Sequence, residues 1–182
     1  MDLTFVSTNA GKFEEVRSIL AAYDIRVRWN RRRLPEMQAD RLESVVEEKL
    51  AAAARLGARV LVEDSGLFLP ALGGFPGVYS AYALDTIGLE GILRLVKGRN
   101  RRAVFRTVAG LSLGSRRWTR SGECRGRIAD RPAGTNGFGY DPIFIPDGER
   151  RTFGQLPAAE KNSRSHRSQA IHRIGRLIQH LA

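Results

Sequence analysis

Cysteine is almost missing from this chain: Cys124 is the only one in 182 residues, so no intramolecular disulfide can form. Histidine is nearly as scarce. The three histidines form no ligand cluster along the sequence, and with a single cysteine beside them a zinc site is not expected. No apolar run approaches the roughly 18 residues that mark a transmembrane helix, because Gly, Pro or charge breaks each one, so no membrane span is expected. The N-terminus lacks the charged-then-apolar layout of a signal peptide, and the expected compartment is the cytoplasm. Lysine is the least obvious shortage. Only Lys12, Lys49, Lys97 and Lys161 are present among 30 basic residues, the rest being arginine. An ammonium is a compact point charge that a planar guanidinium does not replace at a phosphate site, so each retained lysine is a candidate for chemistry.

With 42% hydrophobic residues the chain can bury a core without metals or staples, and its length suits one domain, residues 1–182, or two closely joined lobes. The formal net charge of +11 is open to two readings. A basic field would concentrate a polyanion, be it a nucleotide, RNA or DNA. Alternatively the excess is a surface habit, and the scatter of arginines over much of the chain favours this second reading.

Residues 2–7 read as a first strand and Thr8-Asn9-Ala10-Gly11 as a turn. A helix follows on the spacing of Phe13, Val16, Ile19 and Leu20, ending near Tyr23-Asp24, and residues 25–29 form a second extended piece. Leu42, Val45, Val46, Leu50 and Ala53 trace a helical stripe over 42–56, with Gly57 as the stop. Val60-Leu61-Val62 predicts a short buried strand, placing Glu63-Asp64-Ser65-Gly66 just past its C-terminal end, where α/β proteins tend to put function. Residues 79–97 read as one or two helices around Gly88. Residues 102–113 and 118–128 read as two antiparallel strands joined through Gly114-Ser115, which makes the second lobe β-rich. Residues 130–142 form a long Gly- and Pro-rich loop, 143–145 a short strand, and Pro157 opens a helical turn carrying Lys161. Ser165 is placed to cap a last helix striped by Ala170, Ile171, Ile174, Leu177, Ile178 and Leu181.

Several groups could carry chemistry, and each has a plainer reading. Asn9-Ala10-Gly11-Lys12 is either a strand-to-helix turn with an N-cap or a phosphate cradle, in which amides at a helix N-terminus act beside a lysine. It is not a P-loop, since the first Gly and the hydroxyl of that motif are missing. Lys49 either snorkels from its apolar stripe or faces a polyphosphate. Glu63-Asp64 is either polar punctuation or part of an oxygen-donor set for a hard cation such as Mg²⁺, with Glu36 as a partner carboxylate. Phe138 and Tyr140 either lid the core or stack on a base. His166-Arg167 is either solvated or a reader of oxo against amino purines, because a guanidinium can only donate and a keto oxygen accepts.

Taken in order, Ser7-Thr8-Asn9-Ala10-Gly11-Lys12, Val62-Glu63-Asp64-Ser65-Gly66-Leu67 with Ala71-Leu72-Gly73-Gly74-Phe75-Pro76-Gly77, Phe138-Gly139-Tyr140-Asp141-Pro142, Glu160-Lys161-Asn162 and Ser165-His166-Arg167 resemble the motifs of one family. This is the inosine triphosphatase-like (Ham1 and RdgB type) nucleoside triphosphate pyrophosphatases, and the match spans almost the whole chain. The resemblance implies an elongated α/β fold with a mixed sheet and two lobes flanking a cleft, and a homodimer. It implies hydrolysis of ITP, dITP and XTP between the α- and β-phosphates, giving the monophosphate and pyrophosphate. By similarity Ser7, Asn9, Lys12, Lys49 and Lys161 hold substrate, largely its phosphates, within a motif that also includes Thr8, Ala10 and Gly11. Glu36 and Asp64 are the implied Mg²⁺ carboxylates, with Glu63 as a helper. Asp64 is also the implied proton acceptor. Ser65, Phe138, Gly139, Tyr140 and Asp141 are implied to bind substrate, Phe138 stacking on the base, while His166 and Arg167 read the 6-oxo group. The competing readings are a Maf-like nucleotide pyrophosphatase and a non-catalytic nucleotide- or RNA-binding protein. A nucleic-acid partner is not expected.

Overall fold

A computed structural model describes residues 1–35 and 37–181. Its elements are β1 (Asp2–Val6), α1 (Ala10–Ala21), β2 (Arg26–Asn30), α2 (Leu42–Ala53), β3 (Arg59–Phe68), β4 (Pro76–Gly77), α3 (Ser80–Leu95), β5 (Arg102–Leu113), β6 (Arg116–Ile128), β7 (Phe144–Pro146), α4 (Ala158–Asn162) and α5 (His166–Leu181), with three single 3₁₀ turns. The strands form one mixed sheet in the order β2-β1-β3-β5-β6-β7, and β4 pairs with β3 off that path. β1 runs parallel to both β2 and β3, with Phe5 opposite Trp29 on one side and Leu61 on the other. The expected α/β class with a mixed sheet is what the chain adopts.

Two compact units divide the chain, one of Met1–Asp64, Thr107–Gly122 and His166–Ala182, the other of Ser65–Arg106 and Glu123–Ser165. In the first, Val16, Ile19 and Leu20 of α1 and Ala170, Ile171, Ile174 and Ile178 of α5 close over Leu3, Phe5, Leu61, Ala109 and Leu111 of the strands. Both helices present apolar residues at three- and four-residue spacing, so burying that stripe is what holds them there. The strand residues of the opposite parity meet α2 instead. A Cβ at Gly110 would press on Val46, Leu50 and Val62, so a bare backbone at that point lets α2 lie close to the sheet. In the second unit Leu67, Leu69, Ile92, Phe105, Ile143, Phe144, Phe153 and Leu156 form the core.

The helical expectations hold to within a turn, and α3 breaks at Gly88, whose φ of 64° and ψ of −174° leave helical space. The third strand corrects the sequence reading. β3 does not end at Val62; it continues through Glu63, Asp64, Ser65 and Gly66 to Phe68. The acidic pair therefore lies within the strand rather than after it. Two things permit this: charged side chains can sit in a strand when cations from neighbouring elements meet them, and Gly66 lets the backbone of Gly77 approach more closely than any side chain would allow. Smaller shifts are that α2 ends at Ala53, short of residue 56, and that β6 begins at Arg116.

Gly122 of β6 fixes where α5 begins. A Cβ there would lie 2.7 Å from the Ala170 amide nitrogen and closer still to the His166 carbonyl, so the first turn of α5 docks on bare backbone. Gly122→Ala is expected to cost about 2 kcal/mol or more by overpacking, read as a lowered denaturant midpoint. Gly114→Ala, where a Cβ would meet nothing within 4 Å but φ is +61°, isolates the cost of backbone strain alone.

Candidate active site

Asn9 starts α1. Its backbone is extended, and its side-chain oxygen accepts from the Lys12 amide at 2.9 Å, while the Phe13 amide donates to the Asn9 carbonyl at 3.2 Å. The N-cap reading of this segment is thus correct as geometry. It leaves the amides of Ala10 and Gly11 ahead of the first capped donor, at the positive end of a 12-residue helix. Ser7 is held from two sides: its Oγ accepts from the Asn9 amide at 3.2 Å, and its carbonyl accepts from Trp29 Nε1 at 2.7 Å. The Trp29 ring in turn stacks on Phe13 at 4.8 Å and an interplanar angle of 6°. Thr8 is exposed.

Glu63 and Asp64 are successive residues of a strand, so they face opposite sides of the sheet. Glu63 shares its parity with Leu61 and faces α1 and α5. Its Oε1 lies 2.5 Å from Lys12 Nζ, and its Oε2 accepts from Arg167 Nε at 3.3 Å. Asp64 shares its parity with Val62 and faces α2, where Lys49 Nζ donates to Oδ1 at 2.6 Å. Lys49 is 7% exposed, so it does not snorkel to solvent. Burial raises the Asp64 carboxyl above its ordinary range, Lys12 and Lys49 pulling it back down and Glu63 adding to the rise.

Arg167, in the first turn of α5, is 2% exposed, and its Nη1 donates to Glu15 of α1 at 2.6 Å. Glu15 is the residue that sequence reasoning missed. Its only signal was its place three residues after Lys12, on the same helix face. His166 is buried at the start of α5, and Ser65 follows Asp64 on β3. Glu36, the other implied metal carboxylate, lies outside the described residues. Among the described residues no group of three or more His, Cys, Asp or Glu could hold a metal ion.

The second unit holds the aromatic loop. Asp141 is 3% exposed, and its Oδ2 accepts from Lys161 Nζ at 2.5 Å and from the Phe138 amide at 2.7 Å. Lys161 Nζ also lies 4.8 Å from the centre of the Phe138 ring. Gly137, at φ +73°, leaves room for the Asp141 carboxylate where a side chain would collide with it. Gly139 also has positive φ, at 63°. Tyr140 is different: its ring is 4% exposed within the core and its hydroxyl donates to the Ser80 carbonyl at 2.7 Å. Burial pushes its pKa up, so it stays a proton donor, and the plainer reading of this aromatic as core is the correct one. Phe138 is half-buried. Cys124 takes no part, as burial raises its thiol to about 12.

A family model described as the Ham1 family matches residues 3–176. The chain belongs to the Ham1 family. Among Ham1-type relatives, a dITP/XTP pyrophosphatase of Methanopyrus kandleri is 51% identical over 177 residues, covering 96% of this chain and 94% of that protein. One of Pyrococcus horikoshii is 43% identical over 173 residues, covering 94% and 93%. Among solved structures, the Staphylococcus aureus Ham1 protein superposes with a TM-score of 0.85 at 31% identity, each chain covered in full. A Coxiella burnetii HAM1 protein gives 0.82 at 28% identity, each chain covered to 99%.

The Lys161–Asp141 pair is buried on both sides, each side chain 4% exposed. Lys161→Met would strand a desolvated carboxylate and is expected to cost about 3–5 kcal/mol of unfolding free energy. The double variant Lys161→Met with Asp141→Leu should recover most of that loss. A double variant no more stable than Lys161→Met would show that the loop is held by something other than this ion pair.

Proposed function

We propose that the chain is a dITP/XTP pyrophosphatase that hydrolyses non-canonical purine nucleoside triphosphates, ITP, dITP and XTP, between the α- and β-phosphates, releasing the nucleoside monophosphate and pyrophosphate and so clearing such nucleotides from the pool. The observation that carries it is the meeting of Lys12 and Lys49 with the buried carboxylate of Glu63 and the half-buried one of Asp64. The names of the two archaeal relatives agree with it. The amides of Ala10 and Gly11 and the Lys12 ammonium receive phosphate oxygens at the start of α1, where Asn9 holds the helix end open. Ser7 and Lys49 add donors. Asp64 accepts a proton of the attacking water as the water oxygen bonds to the α-phosphorus, while the bond from that phosphorus to the bridging oxygen breaks and pyrophosphate departs with the electron pair. Its raised pKa makes it a stronger base than an exposed aspartate. In the second unit, Phe138 offers a ring face to a base, with Gly139, Asp141 and Lys161 around it, and Ser65 adds a hydroxyl. His166 and Arg167 read the 6-oxo group.

Mg²⁺ belongs to the same reading. Among the described residues only Oδ1 of Asp64 is hydrogen-bonded, by Lys49, and a desolvated carboxylate with a second oxygen to offer fits a hard cation that keeps waters and substrate oxygens as its other ligands. Asp64 and Glu36 would hold it, and when bound it would neutralise charge on the leaving pyrophosphate. A homodimer is supported by the exposed aromatics Phe75, Tyr79 and Tyr82, the last 71% exposed. No helix among the described residues is long and apolar enough to cross a membrane, and a free nucleotide substrate suits the cytoplasm.

Pyrophosphate release from ITP, dITP, XTP, ATP, GTP and dTTP, measured with Mg²⁺ and with EDTA, tests the assignment. Metal-dependent release favouring the first three is expected. A preference for dTTP would move the chain to the Maf-like activity, and no release from any nucleotide would make it a binding protein. Asp64→Asn is expected to lower kcat by a factor on the order of 10³. A raised carboxyl pKa means that the folded chain retains a proton which the unfolded chain has already lost, so stability falls as pH rises through that window. The neutral amide escapes this penalty but leaves the buried Lys49 ammonium without its carboxylate. Near-parental kcat in Asp64→Asn would remove Asp64 from the mechanism.

A further inference from the structure

Arg167 is among the largest fully buried side chains of the protein, and a guanidinium out of water must be paired on all sides or it will not stay charged and ordered. Two of its partners come from two other elements: Glu15, in the second turn of α1, at 2.6 Å from Nη1, and Glu63, in the middle of β3, at 3.3 Å from Nε. Glu63 is itself fully buried and gives its other oxygen to Lys12 at 2.5 Å. The result is an alternating chain, Lys12–Glu63–Arg167–Glu15, in which α1 supplies a cation at one end and an anion at the other. α1 can do so because residues three apart share a helix face.

We propose that Glu15 and Glu63 are positioning residues that clamp Arg167 in one plane and thereby set the preference for oxo over amino purines, and that Glu63 is not a metal ligand. This rests on the reading of Arg167 as the group facing the base. A guanidinium donates in its own plane, so its power to distinguish a keto acceptor from an amino donor depends on that plane being fixed. Two carboxylates on different nitrogens, carried by a helix and a strand, fix it in a way that one cannot. The same geometry assigns Glu63. Each of its oxygens already faces a cation, so a divalent ion on that carboxylate would sit against Lys12 and Arg167, whereas Asp64 points to the opposite side of the strand.

Glu15→Gln keeps the shape and removes the charge. It is expected to lower the ratio of kcat/KM for ITP over ATP by about tenfold, through a higher KM for ITP, with kcat for ITP within about threefold of the parent. Glu63→Gln is expected to raise nucleotide KM and to leave the Mg²⁺ concentration for half-maximal activity within about twofold. A Glu15→Gln enzyme as selective as the parent, or a Glu63→Gln enzyme whose Mg²⁺ requirement rises tenfold, would overturn the clamp. If Glu63→Gln does not fold, Glu15→Gln decides. One further readout needs no turnover. In the nucleotide-free protein the Arg167 Nε–H should exchange slowly with solvent by NMR and faster in Glu15→Gln; unchanged exchange rejects the clamp. A parent enzyme with no ITP-over-ATP preference would instead sink the functional reading, whatever the exchange rates show.

Discussion

The structure is organised around the cost of burying two adjacent carboxylates in the middle of a strand. Glu63 is inaccessible at its side chain and Asp64 is half-buried, and strand geometry sends them to opposite faces of the sheet. One shared cation cannot serve both. Glu63 is met by Lys12 from α1 and Arg167 from α5, Asp64 by Lys49 from α2, so three helices must be docked correctly before the strand can hold its charges. The apolar packing is arranged to the same end: Leu61 shares a face with α1 and α5, and Val62 opposes α2 through the bare backbone of Gly110. Replacing these ion pairs with well-packed hydrocarbon would often be neutral or stabilising, so their presence is better explained by chemistry than by stability.

The shortage of lysine gains its meaning from this arrangement. Three of the chain's four lysines are buried or half-buried and paired with carboxylates, while arginine provides most of the cations of the exposed ion pairs. An arginine-rich surface is consistent with the plainer reading of the net charge, and the ammonium is kept where a compact donor must reach a single oxygen. Lys49 shows how strongly the partner decides. On its helical stripe it has every reason to snorkel, yet it stays 7% exposed because Asp64 is there to receive it.

Much of this was legible in the sequence because the signals were local. Helix stripes, the Asn9 cap and the Gly88 break follow from spacing and backbone freedom, and the resemblance names Lys12, Lys49, Asp64 and Arg167, which the structure holds in ion pairs on β3, α1, α2 and α5. The misreadings have one cause in common: a side chain's partner lies far along the chain. β3 runs on past Val62, where charge reads as the end of a buried strand unless distant cations are known to meet it. Glu14 and Glu15 look alike in sequence, but Glu14 pairs with Arg17 at the surface while Glu15 reaches Arg167, 152 positions away. Tyr140 could have faced a base; only its bond to the Ser80 carbonyl shows that it belongs to the core.

The first unit's cluster also bears on the proposed binding of Mg²⁺. Lys12, Lys49 and Arg167 are matched by Glu15, Glu63 and Asp64, so the six side chains sum to no net charge. Such a cluster leaves no charge uncompensated in a low-dielectric setting. On the proposed function, a triphosphate would meet lysines that are already engaged, and its own negative charge would exceed what they can release without exposing the carboxylates behind them. A divalent ion, if held by Asp64, would supply the missing positive charge there and leave the Lys49 ammonium for a phosphate oxygen. The ion pairs of the cluster and the proposed cation would then be two sides of one charge balance.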